Sequence, residues 1–336
     1  VTPRPERAIF RASAPVRLDF AGGWTDVAPF ADREGGRVVS AAINLRVQAE
    51  FEPGGAGLLL RAEDLGLAER VGGPAELTRG EGFPLHKAAL RMLPAGPGTL
   101  RTRSDVPPGS GLGSSGALDV ALVSALAAAR GEELPPEEIA ALAFELEARE
   151  AGLPGGRQDQ YSAAFGGFNR LSFRGEAVAI EPLTLDPFFL SELERRTVVC
   201  YTGRSRVSGD TIARVMSAYT RGDPTVTGAL RRISDLAVEM ADALLSADLP
   251  RVGRLLSANW MAQQRLDPQM ATPEMTLLEQ RVIAAGALGG KAAGAGAGGC
   301  MFFVAGENPA SIRAAAQAAG AKLLTAGWSP TGVEMC

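Results

Sequence analysis

Residues 107–116, Pro-Pro-Gly-Ser-Gly-Leu-Gly-Ser-Ser-Gly, are the part of this chain best suited to hold an anion. They carry no charge and lie between a short extended segment and a long alanine-rich helix. Such a loop leaves successive backbone N–H groups bare, and the helix behind it points its positive dipole end the same way. Pro108, Gly109, Ser110, Gly111, Leu112, Gly113, Ser114, Ser115 and Gly116 are therefore candidates to wrap a polyphosphate. A serine hydroxyl there can add a ligand to Mg²⁺, a hard cation that takes oxygen donors and shares itself with phosphates. The same composition also describes a flexible, serine-capped turn.

Two carboxylates stand twelve positions apart around a sharp bend. Glu147 lies near the end of a helix, and Asp159 follows Gly152-Leu153-Pro154-Gly155-Gly156. A chain turned back there can bring both into one cleft, one toward a metal and the other toward an attacking hydroxyl. Alternatively Glu147 and Glu150 form a solvated helix face and Asp159 caps the next helix. Near the start, Arg17 precedes the turn Gly22-Gly23-Trp24-Thr25-Asp26. A carboxylate there can accept sugar hydroxyls while the indole covers an apolar ring face; a plain hairpin turn has the same sequence.

Several chemistries are excluded. His86 is the single histidine, so multi-histidine metal sites are impossible and a Ser-His-Asp triad would have to use it. It lies at a helix start, where a structural role is expected. Cys200, Cys300 and Cys336 are odd in number and far apart, which argues for a reducing compartment and against a disulfide framework. Residues 111–116 and 294–299 both fit G-x-G-x-x-G, but neither sits in the first βαβ unit of a dinucleotide fold. No G-K-[ST] occurs.

These groups need a scaffold. The alternation of Val39, Ala41, Ile43, Leu45, Val47 and Ala49 predicts a strand over Gly36–Glu52, and Leu100–Ser104 a strand feeding the glycine loop. Ser114–Arg130 reads as the helix leaving the loop, although Asp119 interrupts its apolar run. Pro135-Pro136-Glu137-Glu138 starts a helix expected to run to about Glu150. Residues 208–285 are nearly all helical, followed by glycines at 286–299, a strand, a helix and a terminal strand pair. The change from strand-rich to helix-rich sequence predicts domains 1–195 and 196–336.

The chain has 336 residues, 46% hydrophobic and 21% charged, with net charge −4. That is an ordinary globular composition with no basic footprint for nucleic acid. Of its basic residues 31 are Arg and 3 are Lys, a skew read as genome composition or thermal adaptation. No apolar run is long enough for a bilayer. Val1–Arg11 is charged and lacks an apolar segment behind it, so no secretory leader and no membrane partner are expected, and the expected location is cytoplasmic.

In order, A-P-x-R…G-G-x-T-D, P-P-x-x-G-L-G-S-S, E-x₁₁-D and a late G-A-G-x-G-G resemble the GHMP kinases over roughly residues 8–305. Residues 155–169 resemble the heptose-phosphate members of the sugar-1-kinase branch, whereas 23–26 and 84–90 are similar to the fucokinase type. The resemblance implies an α+β fold of two lobes. The first would be like the second domain of ribosomal protein S5, the other a ferredoxin-like plait. It implies ATP and Mg²⁺, with Ser115 (or Ser114) and Glu147 on the metal. Asp159 would be the base and Arg17 its electrostatic neighbour. Gly23, Trp24, Thr25, Asp26 and Gly296 would lie on the substrate side. The reaction implied is transfer of the γ-phosphoryl group to a sugar hydroxyl at the anomeric carbon. A heptose 7-phosphate is the first substrate, L-fucose or another free hexose the second, and a non-catalytic sugar and nucleotide sensor the alternative of another class. A phosphorylated sugar needs a second anion site, with Arg33, Arg37, Arg204 and Arg206 as candidates. Ala297 departs from the family's glycine run, and its Cβ disfavours positive φ.

Overall fold

One long strand organises the first lobe. In the computed structural model, which describes residues 8–78, 82–204 and 209–336, β1 (Phe10–Ala21) is followed by α1 (Phe30–Arg33) and β2 (Gly36–Pro53). Then come β3 (Leu58–Ala62), β4 (Leu67–Val71), α2 (Pro84–Met92) and β5 (Gly98–Ser104). The helices α3 (Ser114–Arg130), α4 (Pro136–Glu145) and α5 (Gln158–Phe165) lead to β6 (Phe168–Arg174), β7 (Ala177–Pro182) and α6 (Pro187–Arg196). At 18 residues, β2 is long enough for two partners on one edge: β6 pairs with residues 36–41 and β5 with 47–53. Its second half alternates as expected, whereas Val38–Ile43 is buried on both faces. The physical reason is a helix on each side, α3 from this lobe and α8, introduced below, from the other.

The second lobe comprises β8 (Thr197–Tyr201), α7 (Gly209–Thr220), α8 (Pro224–Leu245), α9 (Leu249–Gln263), α10 (Pro273–Ala284), β9 (Ala287–Ala292), β10 (Cys300–Ala305), α11 (Pro309–Ala318) and β11 (Lys322–Leu324). Its antiparallel sheet runs β11-β8-β10-β9. By rank within the lobe that is 4-1-3-2, the ferredoxin-like order. Prolines in the first helical turn and side-chain caps set the helix starts: Asp223 accepts from the N–H groups of Thr225 and Val226, and Asp248 from Arg251.

The last strand, β12 (Glu334–Met335), returns to the first lobe and pairs with β1. The expected terminal strand pair is thus split, β11 closing the second sheet and β12 the first. An open β1 edge supplies the reason, since its unpaired backbone groups are satisfied by the returning chain. Arg46 locks that return by donating to the carbonyls of Ser13 and Gly332. The short return strands β4 and β7 and the helices α1 and α6 were not predicted.

The helix expected to run to about Glu150 does so, with a change of form in its last turn. Regular α structure stops at Glu145, and Leu146–Glu150 widen into a π turn in which the Ala151 N–H reaches the Leu146 carbonyl at 2.8 Å. Among the described residues no helix is long and apolar enough to cross a membrane.

Candidate active site

The glycine loop spans the gap between β5 and α3 and is stitched to the second lobe. Ser110 O accepts from the Cys300 N–H of that lobe at 2.6 Å, while Leu112 O accepts from the Arg17 N–H of β1, in its own lobe, at 2.9 Å. The late glycine motif, residues 294–299, faces it across a contact that only glycine permits, because a Cβ on Gly294 would collide with Gly111 O. Gly113 and Gly116 let the loop and the first turn of α3 cross Asp159: added Cβ atoms would lie 3.1 Å from its Cγ and 2.6 Å from its Cβ.

Arg17 projects from β1 into this junction. Its Nη1 donates to Gly111 O at 2.8 Å and to Ala293 O at 2.9 Å, one carbonyl in the 107–116 loop and one just ahead of the 294–299 motif. Its Nε and Nη2 reach Asp159 Oδ1 at 2.8 and 2.7 Å. Asp159 sits in the first turn of α5, so Oδ1 is spoken for and Oδ2 makes no protein hydrogen bond among the described residues.

Glu147 occupies the π turn opposite. Gln160 Nε2 donates to its Oε2 at 2.6 Å, and the Ser115 hydroxyl hydrogen-bonds the same carboxylate. Burial, with Asp159 nearby, pushes the Glu147 carboxyl up to about 7 against those two hydrogen bonds.

Two cavities meet here. The larger, about 890 Å³, extends from the glycine loop past Phe83, His86 and Thr102 toward the β3–β4 hairpin. The smaller, about 100 Å³, is walled by Asp19, Gly23, Trp24, Asp26, Gly155 and Gly156. Arg17, Ser115, Glu147, Pro154, Asp159 and Ala295 line both. The two spaces therefore share one wall of ionisable and hydroxyl groups.

The sequence candidates distribute unevenly over these walls. Pro108, Gly109, Gly111, Gly113, Ser114 and Ser115 line the larger cavity. Ser110 and Leu112 do not: both side chains are fully buried, Leu112 in the core and the Ser110 hydroxyl without a partner. Gly116 packs on Asp159 instead. Gly296, expected on the substrate side, lines the larger cavity, because its loop is pinned over Met270. Thr25 lines neither; its hydroxyl donates to Gly22 O at 2.7 Å and accepts from the Arg37 N–H at 3.0 Å and so holds the turn. Trp24 lines the smaller cavity at φ +81°, a conformation bulky residues avoid, with its indole Nε1 buried and unpartnered. Asp26 caps α5, accepting from the Gln158 N–H at 3.0 Å, and burial pushes its carboxyl up to about 6.

Ala297 takes φ +61° in spite of its Cβ, its N–H held by Met270 O at 2.6 Å. The left-handed conformation costs about 1–2 kcal/mol. His86 is buried against Thr102 Oγ1 at 2.8 Å, and burial lowers it to about 4, so it is neutral near pH 7. Cys200 and Cys300 are buried, and burial pushes both thiols up to about 12.

Some groups at the junction escaped sequence reasoning. Lys291 of β9 donates to Asp19 Oδ2 at 2.8 Å in a buried pair that ties the lobes behind Gly23. Asp119 lies wholly buried in α3, with both oxygens unpartnered. Its only trace in the sequence is a charge inside an apolar helix.

Comparison with known proteins agrees with this geometry. The model of the GHMP kinases N terminal domain matches residues 84–167, and that of the GHMP kinases C terminal domain matches 240–323. D-glycero-alpha-D-manno-heptose 7-phosphate kinase of Campylobacter jejuni is 33% identical over 303 residues, covering 87% of this chain and 88% of that protein. This chain belongs to the GHMP kinases. Like its sugar-kinase relatives it is an ATP-dependent phosphotransferase acting on a hydroxyl group, and ATP is the phosphoryl donor. The bifunctional fucokinase/GDP-fucose pyrophosphorylase of Arabidopsis thaliana is 29% identical over 88% of this chain, which spans 30% of that longer protein. Among solved structures, a D-glycero-D-manno-heptose 1-phosphate kinase from Bacteroides thetaiotaomicron superposes with TM-score 0.78 at 26% identity, covering 98% of this chain and 99% of the other.

Proposed function

We propose that this kinase transfers the γ-phosphoryl group of ATP to the anomeric hydroxyl of a sugar, with a heptose 7-phosphate as acceptor. The observation that carries the reading is the shared wall, where Arg17, Ser115, Glu147 and Asp159 face both cavities. ATP occupies the larger cavity with its phosphates under the 107–116 loop, and the sugar occupies the smaller one against Trp24 and Asp26. The acceptor hydroxyl hydrogen-bonds Asp159 Oδ2, the oxygen Arg17 leaves free. As the bond from γ-phosphorus to the sugar oxygen forms and that to the β,γ-bridging oxygen breaks, the hydroxyl proton passes to Asp159 and ADP leaves. Arg17 keeps the Asp159 carboxylate aimed, which serves the positioning that phosphoryl transfer chiefly asks of a protein. In this reading the 1–195 lobe carries these groups and the 196–336 lobe closes the cleft with 294–298, the returning β12 excepted.

Mg²⁺ fits the oxygen donors at the shared wall. Ser115 and Glu147 would hold it, and when bound it neutralises charge on the phosphates. Among the described residues no group of three or more His, Cys, Asp or Glu side chains could hold an ion by itself, in keeping with a cation shared with nucleotide.

One observation favours a free sugar as the second reading. Arg17, already paired, is the only cation lining the smaller cavity among the described residues. Arg204 pairs with Glu274 at 3.0 Å, Arg33 stacks on Tyr219, Arg37 is exposed, and Arg206 lies outside the described residues. Measuring ADP release with heptose 7-phosphate, L-fucose and free hexoses decides. Turnover on the phosphorylated heptose alone supports the first reading, on a free sugar the second, and none on any sugar returns the sensor.

A further inference from the structure

Asp119 sits four residues after Ser115 on α3, one helical turn on and on the same face. It is 0% exposed, and neither carboxylate oxygen has a hydrogen-bond partner. It lines neither cavity, so it lies behind the wall that Ser115 and Glu147 form. Its electrostatic neighbours are Glu147 and Asp159, both acids, and with burial they push its carboxyl well above the usual range. Packing does not explain it. An apolar side chain would fill the same helix position without the desolvation cost of an unpartnered carboxyl, and the two acids add repulsion. A cation close to Ser115 and Glu147 would reverse that balance, turning the most unfavourable group of α3 into a favourable one.

We infer that Asp119 is a positioning residue of the divalent-cation site, an outer-sphere carboxyl standing behind Ser115 and Glu147. The inference rests on the cation reading above and adds a residue to it. Asp119 hydrogen-bonds neither ligand, so it acts on the site through its charge; losing an outer-shell partner typically weakens a bound ion about 10–100-fold. The class of ligand is a divalent cation bridging to nucleotide phosphates, held here by one direct carboxylate and one behind it.

The test titrates Mn²⁺ into the protein–ADP complex, read by its EPR signal, and compares the parent with Asp119→Asn, Asp119→Val and Glu147→Gln. ADP binding is also measured in EDTA. Both Asp119 variants are expected to weaken Mn²⁺ about tenfold or more while leaving metal-free ADP binding unchanged. The apolar Val variant, freed of a buried unpartnered carboxyl, is expected to fold and to melt at higher temperature than the parent. Parent-like Mn²⁺ affinity in both Asp119 variants, with loss in Glu147→Gln, overturns the inference and leaves the cation reading standing. No loss in any of the three overturns both. Equal losses of Mn²⁺ and metal-free ADP binding in the Asp119 variants mark a merely structural role and also overturn it.

Discussion

Arg17 and Asp159, 142 positions apart, meet through a single carboxylate oxygen, with Nε 2.8 Å and Nη2 2.7 Å from Oδ1. The second oxygen makes no hydrogen bond among the described residues, and Asp159 lines both cavities. If that oxygen orients the acceptor hydroxyl and takes its proton, Asp159→Asn is expected to lower kcat about 100-fold or more, with ATP affinity little changed. Steady-state kinetics with a fluorescent nucleotide titration checks it. A parent-like kcat would remove Asp159 from the proton transfer.

Arg17 does more than face Asp159. It also donates to Gly111 O and Ala293 O, so one guanidinium ties β1 to the 107–116 loop and to the chain just ahead of the 294–299 motif. A lysine keeps the charge but not the fork. Arg17→Lys is expected to lose about 2 kcal/mol of stability, from strained or missing hydrogen bonds to buried carbonyls, together with a fall in kcat. Urea unfolding and turnover on one preparation separate the two. Unchanged stability would show the carbonyls to be satisfied without the fork.

Much of this site could be read in the sequence because its groups sit where short local rules act. The glycine loop is a run of small residues ahead of a helix, and the bend at 152–156 announces itself through Gly and Pro. What could not be read depends on the third dimension. The π turn that presents Glu147 has no residue signature, since one widened turn is decided by packing against α2 and α3. Thr25 and Asp26 looked like ligand residues, yet Thr25 closes its own turn and Asp26 also caps a helix 132 positions away. Gly296 belongs to the larger cavity because Met270, in the turn between α9 and α10, fixes its loop. The return of β12 to β1 is likewise a non-local pairing that two residues of strand cannot signal.

Glu147 is the acid that faces both cavities while bonded to Ser115. Glu147→Gln keeps the shape and removes the charge a divalent cation needs. Turnover is expected to fall about 100-fold or more at a given Mg²⁺ concentration, with a higher Mg²⁺ requirement and an unchanged fold by circular dichroism. Varying Mg²⁺ at fixed ATP reads this directly. Near-normal activity with the parent's Mg²⁺ dependence would place the cation elsewhere.

Asp26 links the smaller cavity to the scaffold, and its titration gives the clearest pH dependence. Burial first, then the nearby Asp159 and Asp19, raise its carboxyl from 3.8 to about 6, while the Gln158 N–H opposes the shift. In the folded protein the proton is therefore held more tightly than in the unfolded chain. The stability this contributes is fully present below about pH 4 and is lost as pH rises through about 6; it amounts to about 2–3 kcal/mol. The ligand-free parent is thus expected to lose stability over that window in urea denaturation. Asp26→Asn, which cannot ionise, is expected to flatten that portion of the profile. The same variant is expected to raise the sugar KM while leaving ATP binding unaltered, because the Asp26 carboxylate lines the smaller cavity and not the larger. An unchanged pH profile in Asp26→Asn would show that another acid sets the slope, and an effect confined to ATP would move the Trp24–Asp26 turn to the nucleotide side.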